Sequence, residues 1–280
     1  MGIIGTMSKR AAHAGGALAG VTATTASAAT AAKAPGETKI VALMSTSTRY
    51  NAVAQEIALR SIFAGKRNWR LIAVRSNRLF TPDIIGDADL LISCGSGAEE
   101  PVDLFSGDAG IADAVGQGTP LWTKGNLDAV MENITKRGMG FLALHDTVQA
   151  RNPRLLEFLD VTALPAKEPQ PLWITRINKE HPVMKGIGKF LVPLDDQHGV
   201  IIKPGSTDTL FETTAVHEKR QAASGWALER GKGRIVGILP GCTTTAYTAP
   251  EYRNLLWRAA HWAMNRAIEP YPEADNTLYD

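Results

Sequence analysis

The sequence contains few of the features that mark several common classes of protein. Its 280 residues include only two cysteines, Cys94 and Cys242, so neither a disulfide framework nor a zinc site follows from cysteine spacing. The formal net charge is only +2, and lysine and arginine are scattered, so we expect no nucleic-acid partner. No run of about 20 strongly apolar residues is present, so we expect no membrane span. The composition is that of an ordinary globular protein, with 44% hydrophobic and 21% charged residues.

Residues 1–38 differ in composition from the rest of the chain. They carry a basic pair near the start, Lys9-Arg10, continue with alanine, glycine and threonine, and contain small-residue patterns such as Ala26-Ser27-Ala28. This layout is typical of an export signal and predicts a periplasmic or otherwise exported protein. A disordered leader on a cytoplasmic protein would have the same composition. In either case we expect one folded domain over residues 39–268 and a C-terminal tail over 269–280.

Apolar runs and amphipathic segments alternate from Lys39 onwards. Four runs predict strands, "KIVALMS", "WRLIAVRS", "ADLLISCG" and "MGFLALHD", and "AVAQEIALRSIFAG" and "GNLDAVMENITKRG" have helical spacing between them. The second half contains further strand-like segments, "PLWITRIN", "DTLFETTAV", "ASGWALERG" and "GRIVGILPG", before a helix that begins at Pro250. The pattern predicts an α/β fold with a mostly parallel sheet, helices on both faces and some added antiparallel strands.

The fourth apolar run ends in two reactive side chains, His145 and Asp146. Parallel strands buried on both faces are continuously apolar, and their carboxyl ends open onto the crevice where ligands bind. His145 and Asp146 would therefore point into the expected site. Alternatively, His145 is a core imidazole with satisfied hydrogen bonds, and Asp146 caps the following segment. The pattern alone does not separate these two interpretations.

Four segments together resemble the ThuA-like (trehalose utilisation) family over about residues 39–266. They are "GMGFLALHD", "EHPVMKGIGKF", "GKGRIVGILPG" and "EYRNLLWRAAHWAMNR", in the family's order and near its spacing. The resemblance implies a flavodoxin-like fold related to class I glutamine amidotransferases, and a role in carbohydrate metabolism. In those amidotransferases the corresponding strand ends at a nucleophilic cysteine, whereas this chain has His145 there. Amide hydrolysis by that route is therefore not expected.

Two segments depart from the family pattern and supply further candidates. Asp195-Asp196-Gln197-His198 stands where the family commonly has Asp-Glu-x-Tyr, and Gly241-Cys242 stands where it usually has Gly-His. The alternatives are a solvated loop for the first segment and simple burial of a small apolar side chain for Cys242. Arg49 and Tyr50 follow the first strand and are either ligand-facing or ordinary loop residues. We predict catalytic roles for His145, Asp196 and His198, and substrate binding by Arg49, Tyr50, Asp146, Asp195 and Cys242.

The leading functional hypothesis is an enzyme that acts on a small sugar or keto-sugar derivative, as an isomerase, lyase or hydrolase. His145 would move a proton, since imidazole has an unperturbed pKa of ~6.5. The alternative is a non-catalytic sugar-binding or accessory protein, and a cysteine hydrolase that uses Cys242 is a third hypothesis. His145, Asp196, His198 and Cys242 are competent metal ligands, but no tight metal motif is present, so a divalent metal is not favoured and the cofactor is unknown. The expected partner is a small carbohydrate, and formation of a homo-oligomer is compatible with the sequence.

Overall fold

Strands occupy more of the chain than helices in a computed structural model of the protein. The structure describes residues 33–44, 51–66, 68–75, 80–95, 124–149, 152–205 and 207–272. All of these residues belong to one compact unit, Ala32–Asp280. Arg49 and Tyr50 lie outside the described residues, so their predicted roles in substrate binding stay predictions.

The described elements are nine strands, five α-helices and three short helical turns. The strands are β1 (Thr38–Leu43), β2 (Trp69–Val74), β3 (Leu90–Ser93), β4 (Gly140–Leu144), β5 (Val161–Arg176), β6 (Phe190–Ile202), β7 (Asp208–Ala215), β8 (Gln221–Arg230) and β9 (Gly233–Ile238). The helices are α1 (Ala52–Phe63), α2 (Pro82–Ile85), α3 (Lys124–Glu132), α4 (Pro153–Phe158) and α5 (Pro250–Ala263). A π-helical turn spans Asn133–Arg137, and 3₁₀ turns span His145–Gln149 and Ala246–Thr248.

All nine strands form one mixed sheet in the order β2-β1-β3-β4-β9-β8-β6-β5-β7, and β8 also pairs with β7. Four pairings are parallel and join β2, β1, β3, β4 and β9. The other five are antiparallel and join β5 through β9. The prediction of a mostly parallel sheet with some added antiparallel strands is therefore wrong. Parallel neighbours need long, usually helical crossovers, and the described chain has no helix between β5 and β9, so those strands pair antiparallel and close on one another.

The parallel half of the sheet matches the apolar runs of the sequence. Every residue of β1, β3 and β4 is buried, as expected for parallel strands covered on both faces. Successive side chains point to opposite faces, so Ile40 and Ala42 join one core cluster whereas Val41 and Leu43 join the other. Helices α1 and α5 contribute to the first cluster, and α2, α3 and α4 contribute to the second.

The antiparallel half contains a strand that the sequence did not reveal. Strand β6 runs from Phe190 to Ile202 and carries Asp195–His198, all of which are buried. The interpretation of this segment as a solvated loop is therefore wrong. The sequence suggested a loop because proline, here Pro193, and aspartate are both uncommon inside strands.

Helix boundaries follow local signals in the sequence. The Asn51 side chain caps α1 by accepting a hydrogen bond from the Ala54 amide, and Asn152 caps α4 through the Leu155 amide. Gly138 ends the α3 segment in the left-handed conformation, at φ 89°. None of the helices in the described ranges has the length and apolar character needed to cross a membrane.

Candidate functional site

The candidate site lies where parallel strands β3, β4 and β9 end. Cys94 follows β3, His145 follows β4, and Gly241 comes shortly after β9. The registers Ser93↔Ala143 and Leu144↔Ile238 bring these three carboxyl ends to the same edge of the sheet. Topology alone therefore gathers chain segments that are far apart in sequence, at the edge where open α/β sheets bind ligands.

His145 is completely buried and is held by Gln55 of helix α1. The Gln55 Nε2 atom lies 2.8 Å from His145 Nε2 and also donates to the carbonyl oxygen of Gly241, at 3.3 Å. Because a carbonyl oxygen can only accept, this second contact fixes the amide orientation, so His145 Nε2 accepts from Gln55 and the ring proton resides on Nδ1. Burial and, as a smaller cause, the nearby His198 together lower the pKa of His145 to about 3. The imidazole is therefore neutral at neutral pH.

Asp195 connects β6 to the loop that follows β9. Its carboxyl oxygens accept hydrogen bonds from the backbone amides of Gly241, Thr243 (3.0 Å) and Asp196 (3.0 Å). The pKa of Asp195 is raised to about 7. Burial is the largest cause and the neighbouring Asp196 adds to it, whereas the hydrogen bonds from the Gly241 and Thr243 amides lower this pKa. With both oxygens engaged by backbone amides, the Asp195 side chain positions the loop, and its predicted role in substrate binding stays a prediction.

Asp196, His198 and Cys242 bring three different ligand types together in the interior. One carboxylate oxygen, one imidazole nitrogen and the thiol sulfur all lie within 4.8 Å of one another, and all three residues are buried. The backbone at His198 is fixed by the Ser224 hydroxyl, which donates to its carbonyl oxygen at 2.8 Å. These are the residues of the site that could hold a metal ion.

Two tyrosines enclose the turn that carries Cys242. The Tyr252 hydroxyl donates to the carbonyl oxygen of Pro240, and the rings of Tyr247 and Tyr252 meet edge to face. Gly241 has φ 116°, and a Cβ atom there would lie 2.4 Å from the Tyr252 hydroxyl oxygen. This turn therefore requires glycine, both for its backbone conformation and for the space beside Tyr252.

The structure brings together five of the eight predicted site residues: His145, Asp195, Asp196, His198 and Cys242. Asp146 lies in the 3₁₀ turn after β4, and its half-buried carboxylate acts electrostatically on Cys94. Burial, and then that carboxylate, raise the pKa of the Cys94 thiol to about 12. The functional roles assigned to these residues stay predictions.

Sequence reasoning did not identify Gln55, Tyr247 or Tyr252 as parts of the site. Gln55 precedes Leu59 and Ile62 at helical spacing and is buried with them, so a polar side chain on the apolar face of a helix was the available signal. Tyr252 occupies the same kind of position in α5. Tyr247 lies in a 3₁₀ turn and offers no comparable periodicity.

A separate cavity of about 610 Å³ lies elsewhere and contains none of the candidate site residues. Met131, Arg154, Asp160, Lys203 and Arg230 are among its lining residues. Its charges already neutralise one another, since Arg230 pairs with Asp160 at 2.6 Å and Arg154 pairs with a nearby aspartate. The chemistry of the chain therefore points to the end of β4 and not to this cavity.

Comparisons with known proteins bear on the fold and the family. The sequence profile of the ThuA family, described as trehalose utilisation, matches residues 42–263. A ThuA-like protein from Parabacteroides merdae is similar in structure, with a TM-score of 0.63 and 15% identity over 85% of this chain and 94% of that one. A ThuA-like protein from Bacteroides uniformis has a TM-score of 0.59 and 15% identity over 83% and 93% of the two chains.

A more distant similarity extends to part of a larger enzyme. A β-galactosidase from Bacillus circulans sp. alkalophilus matches with a TM-score of 0.52 and 9% identity, over 83% of this chain but 32% of that one. At these identities the structural likeness shows the fold alone. A search of curated proteins found no match to the sequence. The family profile covers most of the chain, and on that basis the chain belongs to the ThuA family and has its glutamine amidotransferase-like fold.

Proposed function

We propose that this ThuA family member acts on a small sugar or keto-sugar derivative in carbohydrate catabolism, with His145 as a neutral imidazole beside the reacting carbon. Family membership connects the chain with trehalose utilisation. The observation that carries the proposal is the pair of contacts by which Gln55 holds the buried His145 ring at the carboxyl end of β4.

A neutral imidazole suits a reaction at a ketone. Through Nδ1–H it donates a hydrogen bond that polarises a carbonyl oxygen, and it stabilises the enediolate that forms when a proton leaves the neighbouring carbon. The neutral ring can donate this hydrogen bond without giving up its proton, so it stays an electrophilic hydrogen-bond donor throughout the reaction. In this proposal His198 or Asp196 accepts the carbon-bound proton, because both lie in the same buried cluster.

The site does not support glutaminase chemistry as an alternative. That route needs a thiolate at the end of the strand that corresponds to β4, and this chain has His145 there. The neighbouring thiol of Cys94 is buried, and its raised pKa keeps it protonated at neutral pH.

Deuterium exchange tests the proposal directly. Purified protein would be incubated in D₂O with trehalose in which one ring hydroxyl is oxidised to a ketone, and NMR would follow the hydrogen on the carbon next to that ketone. We expect the wild-type chain to exchange this hydrogen and His145→Gln to lose the exchange by at least ~100-fold, the magnitude found when a donor to a developing oxyanion is removed. The exposed His217 supplies the matched control, His217→Gln, which should exchange at the wild-type rate.

Two outcomes would contradict this assignment. Unchanged exchange in His145→Gln would show that the imidazole takes no part in the reaction. Stoichiometric binding of the sugar by the wild-type chain, with neither exchange nor product formation, would favour a non-catalytic sugar-binding or accessory protein.

A further inference from the structure

We propose that Asp196, His198 and Cys242 form a binding site for one zinc ion. This inference goes beyond the proposed function, and its test does not depend on any reaction on a sugar. With zinc bound, Asp196 and His198 would serve as metal ligands and would no longer accept the proton. It rests on the identity of the three donor atoms, on their separation, and on the way in which neighbouring residues hold the two segments that carry them.

The donor set fits a borderline metal ion. Zinc binds thiolate sulfur at ~2.3 Å, imidazole nitrogen at ~2.0–2.1 Å and carboxylate oxygen at ~2.0–2.2 Å. Around a tetrahedral ion these bond lengths place the donor atoms ~3.3–3.6 Å apart. The three donors of this chain already lie within 4.8 Å of one another, so small side-chain rotations would complete the geometry. A thiolate and an imidazole also select against magnesium and calcium, which prefer oxygen ligands.

Asp195 holds both ligand-bearing segments in place. Its carboxylate accepts hydrogen bonds from the amides of Gly241 and Thr243, the residues on either side of Cys242. The same carboxylate accepts from the amide of Asp196. A single buried side chain therefore sets the position of two ligands relative to each other, the role that outer hydrogen-bonding residues play around metal sites.

The third ligand, His198, is fixed by the neighbouring strand of the sheet. Ser224 of β8 donates to the carbonyl oxygen of His198, and its hydroxyl also contacts the Thr213 hydroxyl of β7 at 2.7 Å. These contacts hold the β6 backbone where His198 projects into the cluster. All three ligands are thus carried by β6 and by the turn after β9, which are both tied down by side-chain hydrogen bonds.

The charges of the cluster also favour a cation. If both were ionised in the protein interior, a carboxylate and a thiolate at this separation would repel each other and would lack water, which is costly without a compensating positive charge. A divalent ion supplies that charge and keeps the thiol deprotonated. Three protein ligands leave a fourth position open, as in catalytic and not structural zinc sites.

Cobalt substitution tests the site with a readout that does not depend on activity. The full chain, freed of metal with a chelator, would be titrated with Co²⁺ under reducing conditions. We expect one equivalent to bind and to give the thiolate-to-cobalt charge-transfer band in the near ultraviolet. Cys242→Ser should abolish the band, and Asp196→Asn and His198→Gln should each weaken Zn²⁺ competition by more than ~10-fold. Cys94→Ser, which removes a buried thiol outside the ligand set, should keep the band.

X-ray absorption by the zinc-loaded wild-type chain provides a test without substitutions, in case a variant fails to fold. It should show one sulfur ligand at ~2.3 Å and the remaining ligands as nitrogen or oxygen. The proposal is overturned if the wild-type chain gives no charge-transfer band at one equivalent. It is equally overturned if the band survives in Cys242→Ser, if it disappears in Cys94→Ser, or if the zinc spectrum contains no sulfur ligand.

Discussion

The Asp195 side chain should contribute more to stability than any exposed carboxylate of the chain. Replacement by alanine leaves the backbone amides of Asp196, Gly241 and Thr243 without their acceptor in a buried environment. Each buried amide without a partner costs about 1–3 kcal/mol. Allowing for partial relaxation of the loop, we expect Asp195→Ala to lower the free energy of unfolding by about 3–6 kcal/mol.

Asp195→Asn separates the hydrogen-bonding role from side-chain volume. Asparagine keeps one carboxamide oxygen at the position that accepts from Asp196 and Thr243, but its amide group then faces the Gly241 amide, donor against donor. We therefore expect a loss of only about 1–3 kcal/mol for this variant. The order of stability should be wild type, then asparagine, then alanine.

Urea unfolding followed by tryptophan fluorescence measures both losses. Asp208 is exposed at the start of β7, so Asp208→Asn is the matched control and should change stability by less than about 0.5 kcal/mol. The reasoning is refuted if Asp195→Ala unfolds within about 1 kcal/mol of the wild type, or if the asparagine variant is as unstable as the alanine variant.

Three further predictions concern the turn after β9, a buried histidine and a buried thiol. Gly241→Ala should lower the free energy of unfolding by about 2–4 kcal/mol, measured with urea, because the new Cβ atom would meet a tyrosine hydroxyl and the backbone has a positive φ. Gly188 has open space around it, so Gly188→Ala should leave stability nearly unchanged, and equal effects of the two substitutions would contradict the steric argument. Burial lowers the pKa of His181, so the unfolded chain binds its proton first. The stability of the wild type relative to His181→Gln should therefore fall as pH drops below ~6.5, by up to ~1.4 kcal/mol per pH unit, and a difference that stays constant with pH would contradict this; the comparison cancels the contributions of His145 and Asp195. Burial raises the pKa of Cys94 to about 12, so its thiol should resist iodoacetamide at pH 8 until urea unfolds the chain. This is measured in a variant that lacks Cys242, and rapid labelling of the folded variant would contradict the burial of Cys94.

The parallel half of the fold could be predicted from sequence because its signal is local. β1, β3 and β4 are buried on both faces, so each contains a continuous apolar run. That regularity also located His145, since a polar residue directly after such a run lies at the edge of the sheet. The four segments that resemble the ThuA family point to it by their order and spacing, and the family profile confirms the assignment.

The antiparallel half could not be predicted because its polar residues are satisfied by distant parts of the chain. Asp195 is compatible with the interior of β6 only because amides from the turn after β9, 46 and 48 residues away, donate to it. Read locally, the same carboxylate indicates a solvated loop. Pro193 strengthened that wrong interpretation, although irregular pairing between β5 and β6 accommodates it.

The identity of His145 as a candidate was predictable, but its protonation state was not. An isolated imidazole has a pKa of ~6.5 and suggests a proton shuttle. Only the folded structure shows that burial and a donor from Gln55 hold the ring neutral. Gln55 lies 90 residues away in sequence, so no local pattern connects the two side chains.

Nitrogen-15 NMR of the full chain with labelled histidine tests the central claim most directly. The His145 resonances, assigned by comparison with His145→Gln, report which ring nitrogen carries the proton at each pH. We predict a neutral ring protonated on Nδ1, unchanged from pH 8 down to pH 5, because Gln55 donates to Nε2 and the pKa is about 3. A ring that becomes cationic near pH 6.5, or one that carries its proton on Nε2, would contradict the account.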